Sequence, residues 1–295
     1  MRILERTYKM SISLATVFKP YTDEVFKAES KTALCTNTDF DWTGAHTVKV
    51  YKVTTATMNN YGRNVDENAE TVPVSRYGAL LDLAATTEEL TLAKDRSFIF
   101  NVDKLDTDET ANNVEAASAL ARQLRNVVIP EIDTYTIGKI AAGAPAANIK
   151  TAVLTTENIY EKILDASQIL DDAEVPDTER VLLMSAGAYA LLKQSTVLDN
   201  HDVGADVRLN GVVGYLDGAA VVKVPANRLP ANTGFIMTHP ACTVAPVKLE
   251  DYNVHVDTPL SSGSVVTGRV CYDAFVLDNK KNGIVLHVNA APEGE

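Results

Sequence analysis

Hydrophobic and polar positions change period several times along the chain, and each change marks a predicted element. From residue 45 to 53 they alternate, with Val48, Val50 and Lys52 on one face and Thr47, Lys49, Tyr51 and Val53 on the other. Period two predicts a strand, although neither face is cleanly apolar. Two further β-like runs follow, at residues 72–83 and 90–102. In the second, Leu90 and Leu92, then Phe98, Phe100 and Val102, recur at alternate positions, and Ala93-Lys-Asp-Arg96 interrupts them. Residues 59–104 therefore read as a long two-stranded protrusion with too little apolar area to stand alone, because an isolated hairpin is marginal in water.

The period then lengthens. Asp106-Thr-Asp-Glu109 has the form of a capping box, with Asp106 as the cap, and it places acids at the positive end of a helix dipole. Ala117, Leu120, Ala121, Leu124, Val127 and Val128 continue at helical spacing. Pro130 removes a backbone donor and is expected to kink or end this helix, although a helical face continues to about residue 142. Gly143-Ala-Pro-Ala-Ala is the clearest linker. Beyond it, Ile159, Ile163, Ala166 and Leu170 predict an amphipathic helix within 156–172, Arg180–Met184 a short strand, and Ser185 the cap of a second helix. Asp217-Gly218 between two β-like runs predicts a hairpin, because that turn needs positive φ. The tail, at 234–238, 252–256, 264–277 and 283–288, is β in character. Its sheet, joined by strand 45–53, is expected to pack on the long helix. Residues 1–40 read as an arm that needs a neighbour to order it. The class is α+β.

Composition narrows the functions. The chain has 295 residues, 46% hydrophobic, with 27 Lys and Arg against 39 Asp and Glu, a net charge of −12. That is enough to bury a large core, and the acidic balance opposes a sequence-reading nucleic-acid binder. No apolar run reaches the roughly 18 residues of a membrane helix, so a soluble, non-exported chain is expected, with no membrane partner. Cys35, Cys242 and Cys271 are widely spaced, which predicts reduced thiols. The five histidines form no HxH or HExxH pair. Asp103, Asp106 and Asp108 lack the glycine and distant glutamate of a calcium loop, and no phosphate-loop or GxSxG motif occurs. The expectation is no enzyme, no catalytic residue, no metal and no cofactor.

The element order, together with Lys31-Thr-Ala-Leu, Asp39-Phe-Asp-Trp-Thr-Gly-Ala-His-Thr-Val-Lys-Val50, Asp95-Arg-Ser-Phe98, Val128-Ile-Pro-Glu-Ile-Asp-Thr-Tyr135 and Gly268-Arg-Val-Cys-Tyr-Asp-Ala-Phe275, resembles the major capsid protein of tailed bacteriophages, the Johnson-fold coat protein, in a branch found in phages of Gram-positive bacteria. The resemblance spans about residues 10–288. It implies an N-terminal arm at 1–40, a peripheral-domain strand at 41–58 and an extended β-hairpin loop at 59–104 lying across a neighbour. It further implies a spine helix with peripheral domain at 105–150, an axial domain at 151–240 and a peripheral-domain sheet at 241–295. The implied function is self-assembly of pentamers and hexamers into an icosahedral head shell around double-stranded DNA, made in the host bacterial cytoplasm and ending in the virion. Implied partners are a separate scaffolding protein, a portal and a decoration protein. The alternative within the fold is an encapsulin-like nanocompartment enclosing protein cargo. In this reading some of Arg76, Lys94 and Arg96 dock on carboxylates of an adjacent subunit, the alternative being a solvated charged tip, with Leu90, Leu92, Phe98 and Phe100 the apolar contact candidates that would grip in their place.

Overall fold

The computed structural model describes residues 30–37, 47–53, 55, 57–61, 76–77, 85–109, 116–195, 212–256 and 262–290. All but residues 76–77 of the run predicted at 72–83, and most of the arm, lie outside the described residues. The chain divides into two units, residues 41–92 and residues 1–40 with 93–295.

The smaller unit holds an antiparallel ribbon of β1 (Thr47–Val53) and β2 (Ala85–Thr91), in register from Thr47 with Thr91 to Val53 with Ala85. Directly opposed side chains stabilise such a ladder. Val48 meets Leu90, while Lys49 pairs with Glu89 at 2.6 Å and Lys52 with Glu88 at 3.1 Å. Cross-strand ion pairs are why neither face of this strand reads as apolar.

The larger unit is built around a six-stranded mixed sheet in the order β4 (Ile149–Ala152), β13 (Ile284–Asn289), β8 (Thr233–Thr238), β5 (Val181–Ser185), β7 (Ala219–Val224), β6 (Val212–Leu216). Successive residues of a central strand point to opposite faces, and both faces are covered. Val181, Leu183, Val222, Ile236 and Ile284 pack against Ile137, Ile140 and Ala141 of α3 (Ile129–Gly143). Leu182, Met184, Val221, Phe235 and Val285 pack against α4 (Ile159–Asp172) and α5 (Ala186–Gln194). The result is a helix–sheet–helix sandwich. Ser185 caps α5 by accepting from the Ala188 N–H at 3.2 Å, and Asp217 and Gly218 take φ of 49° and 75° in the β6–β7 turn.

A second sheet joins β10 (Val247–Val256), β11 (Gly263–Tyr272) and β3 (Lys94–Asp103), all antiparallel. Phe98, Phe100, Val102 and Val266 pack there with Ala116 and Leu120 of α2 (Ala116–Gln123). β9 (Thr243–Val244) and β12 (Phe275–Val276) form a short separate pair.

Four expectations change. Strand 45–53 pairs with 85–91 and joins no C-terminal sheet among the described residues. The 90–102 run splits at Leu92 and Ala93, because the Ala93 N–H leaves the first ladder for Asp273 Oδ2 at 2.8 Å and the chain then takes β11 as partner. The last strand leaves the tail sheet for the sandwich: Ile284, Val285, Leu286 and His287 are all buried, and a strand buried on both faces needs neighbours on both sides. Helix α1 (Lys104–Glu109) starts before the expected box. Asp103, not Asp106, caps it, its carboxylate accepting from the Leu105 N–H at 2.8 Å.

Pro130 neither ends nor breaks the long helix. Between α2 and α3, residues Leu124–Val128 form a π turn, with the Ile129 N–H donating to the Leu124 carbonyl five residues back. Widening the helix by one residue there accommodates a ring that would otherwise strike the carbonyl four residues back.

Candidate functional site

Three carboxylates on or beside α3 gather segments distant in sequence. Asp133 faces inward from the second turn of the helix and is buried. Its Oδ1 accepts from Ser30 Oγ and Thr32 Oγ1, both at 2.8 Å. Its Oδ2 accepts from the Lys31 N–H at 2.9 Å and from Arg228 Nη1 at 2.7 Å. Four donors satisfy a charge that burial would otherwise make very costly. Two residues earlier, on the opposite side of the helix, Glu131 accepts from Arg96 Nε at 2.6 Å and from Tyr272 OH at 3.2 Å. Asp273 accepts from Tyr135 OH and from the Ala93 and Ala274 N–H groups, each at 2.8 Å.

The electrostatics follow the contacts. Burial, then the Glu131 charge, push the Tyr272 hydroxyl up to about 12. Burial and Asp273 raise Tyr135 as well. Burial and the nearby Asp133 raise the Cys35 thiol to about 12. These groups stay neutral at neutral pH and act as hydrogen-bond donors and packing, not as nucleophiles.

The seven contact candidates divide between the two units. Arg76 sits in an exposed turn beside Tyr77, whose ring meets Tyr61 edge-on at 5.1 Å. Leu90 and Leu92 are each 4% exposed. In the larger unit Lys94 lies over the Tyr135 ring at 5.0 Å. Arg96 is held by Glu131, which raises its pKa. Phe98 and Phe100 are half-buried and stack at 6.1 Å within the cluster of Val102, Ala116 and Val266. Lys94, Arg96, Leu90, Leu92, Phe98 and Phe100 are thus engaged inside the chain.

Sequence reasoning did not single out Glu131, Asp133 or Asp273. Yet each lies in a stretch that carries the family resemblance: 128–135 contains the first two and 268–275 the third, while 31–34 and 95–98 supply Lys31 and Arg96. What those scattered stretches share is that they converge on α3.

All three cysteines are free. Among the described residues no group of three or more His, Cys, Asp or Glu side chains is placed to hold a metal ion, and no helix is long and apolar enough to cross a membrane.

Comparison with solved structures gives the class of the fold: it is that of phage capsid chains. In particular, the chain matches one from the capsid of Cyanophage P-SCSP1u with a TM-score of 0.70 at 14% identity, covering 94% of this chain and 93% of that one. It matches a chain from the mature capsid of bacteriophage PhiM1 with a TM-score of 0.66 at 15% identity, covering 95% and 92%. A chain of Mycobacterium phage Che8 matches with a TM-score of 0.67 at 19% identity, covering 92% and 96%. At these identities the likeness is one of fold. No protein-family model and no curated protein matches the chain.

Proposed function

We propose that this chain is the major capsid protein of a tailed phage, the repeated unit of an icosahedral head that encloses double-stranded DNA. The observation that carries the reading is the fold likeness to capsid chains over more than nine-tenths of both partners. Its chemistry is burial, hydrogen bonding and ion pairing between copies, with no catalytic step. Pentamers and hexamers form through the 151–240 segment, and residues 59–104 lie across a neighbouring copy. The β1–β2 ribbon supports this role, because two strands with Tyr51 73% exposed cannot bury enough surface alone. The net charge of −12 suits a wall along which packed DNA slides. A separate scaffolding protein, a portal and a decoration protein are the expected partners, and the virion is the destination.

The test is to express the chain with its scaffolding protein and to examine the product by sedimentation and negative-stain microscopy. Closed shells are expected; a monomer alone at micromolar concentration overturns the reading. Replacing Arg76, Lys94 and Arg96 together by Ala is expected to lower particle yield and salt tolerance with the circular dichroism unchanged. Unaltered assembly across a salt titration removes these charges from the interface.

A further inference from the structure

A cleft of about 440 Å³ lies between α4 and the β4–β13 side of the sandwich sheet. Strand register sets its floor. His287 of β13 is aligned with Lys150 of β4 on one side and with Phe235 of β8 on the other. Its ring lies nearly parallel to that of Phe235, 4.9 Å between centroids. From α4 the cleft is lined by Lys162, Asp165, Gln168 and Asp172.

His287 is 1% exposed, and among the described residues neither ring nitrogen has a hydrogen-bond partner. An imidazole carries a donor and an acceptor, or two donors when charged, and burying either unpaired is destabilising. A phenyl ring would fill the same space and stack on Phe235 equally well, so packing alone does not account for a polar ring here. The charged groups around it are Lys162, Asp165 and Asp172 from α4 and Lys150 from β4, while β8 presents only Phe235. Asp165 is already committed to Lys162 at 2.9 Å. Burial and the Lys162 charge lower the His287 pKa, which keeps the ring neutral.

We propose that this cleft binds a small phosphate-type oxyanion, whose oxygens accept from His287 and Lys150, while Lys162 stays paired with Asp165 at 2.9 Å and Glu161 at 3.5 Å. The volume falls in the range of small-molecule sites, roughly 300–1,000 Å³, and it exceeds what a bare anion fills. Gln168 and Asp172 are left to meet hydroxyl groups on the same ligand, as on a phosphomonoester. A bound anion opposes the effect of burial and of Lys162 on the ring and favours the imidazolium, so binding takes up a proton and tightens as pH falls.

The test is calorimetric titration of the full chain with sulfate, inorganic phosphate and a nucleoside monophosphate, at pH 6 and pH 8. Sulfate stays dianionic across that interval, so its pH dependence belongs to the protein. Saturable binding is expected, with sulfate severalfold tighter at pH 6 than at pH 8, the direction set by the proton taken up on binding. Lys150→Ala, at an exposed position, should weaken binding severalfold. His287→Phe should abolish it while melting no lower than the parent in anion-free buffer. Binding of the ester alone assigns the site to phosphomonoesters; binding of all three assigns it to the free anion. Failure of all three to bind, or binding unchanged in Lys150→Ala and His287→Phe, overturns the proposal and leaves water as the partner of the ring.

Discussion

Replacing Asp133 by Ala removes the carboxylate on which the 30–37 segment, α3 and the 226–228 turn converge. The loss can be worked from the contacts. The Arg228 guanidinium, whose side chain is 3% exposed, loses its 2.7 Å pairing with Asp133 in the core, and breaking a buried pair from one side costs about 3–5 kcal/mol. The Ser30 and Thr32 hydroxyls and the Lys31 N–H lose their acceptor. Each such bond is worth about 1 kcal/mol net, part of which water restores when the segment loosens. The expected destabilisation is therefore about 4–6 kcal/mol, measured by urea unfolding followed by circular dichroism. Pairing the change with Arg228→Met should recover several kcal/mol, because removing both charges leaves no buried ion. Hydrogen exchange gives a local readout: the amides of Lys31 and Cys35, bonded to Asp133 and to the Thr32 carbonyl, should exchange much faster in the single variant. An Asp133→Ala chain within about 1 kcal/mol of the parent, or with exchange at 30–37 unchanged, would refute the assignment of Asp133 as the anchor.

Further outcomes follow from the same structure. Gly268 lies against the Phe98 ring, and a Cβ there would also meet Tyr252 Cδ1 at 2.9 Å; Gly268→Ala should cost about 1–3 kcal/mol in thermal or urea unfolding. His239 and His287 both have pKa values lowered by burial from 6.5. The unfolded chain therefore takes up protons first, and stability should fall as pH drops below about 6.5, with a shallower fall in His287→Phe. With Cys35 raised to about 12 and Cys242 also raised by burial, an aromatic disulfide reagent at pH 8 should modify the half-buried Cys271 first and the other two only on unfolding. Equal rates at all three would contradict their burial.

Features decided within a few residues were legible in the sequence. The Asp217-Gly218 turn is set by its own backbone angles, and the stripe Ile159, Ile163, Ala166, Leu170 buries itself wherever α4 lands. What escaped depended on remote partners. Leu90 and Phe98 share a period-two run, but one pairs with Val48 and the other with Gly268, and nothing between them announces the change except the interruption at Ala93. Asp133 reads as one carboxylate on a helix, because its donors lie 95 to 103 residues away. The cap at Asp103 lost to Asp106 on paper because a capping box counts residue types and not where the preceding strand stops. Pro130 has a local solution, the π turn, that a binary choice between kink and stop leaves out.

That extra residue between 124 and 128 shifts angular phase. A regular helix advances about 100° per residue, so every side chain beyond the turn points that much further round than an uninterrupted helix would send it. Ahead of the shift, Ala116 and Leu120 face the three-stranded sheet; behind it, Ile132 and Tyr135 still reach Val270 and Tyr272 of that sheet, and Ile137, Ile140 and Ala141 face the sandwich. One rod thereby addresses two hydrophobic cores. Deleting one residue from 124–128 would leave the length of the rod almost unchanged and set its two ends to conflicting headings.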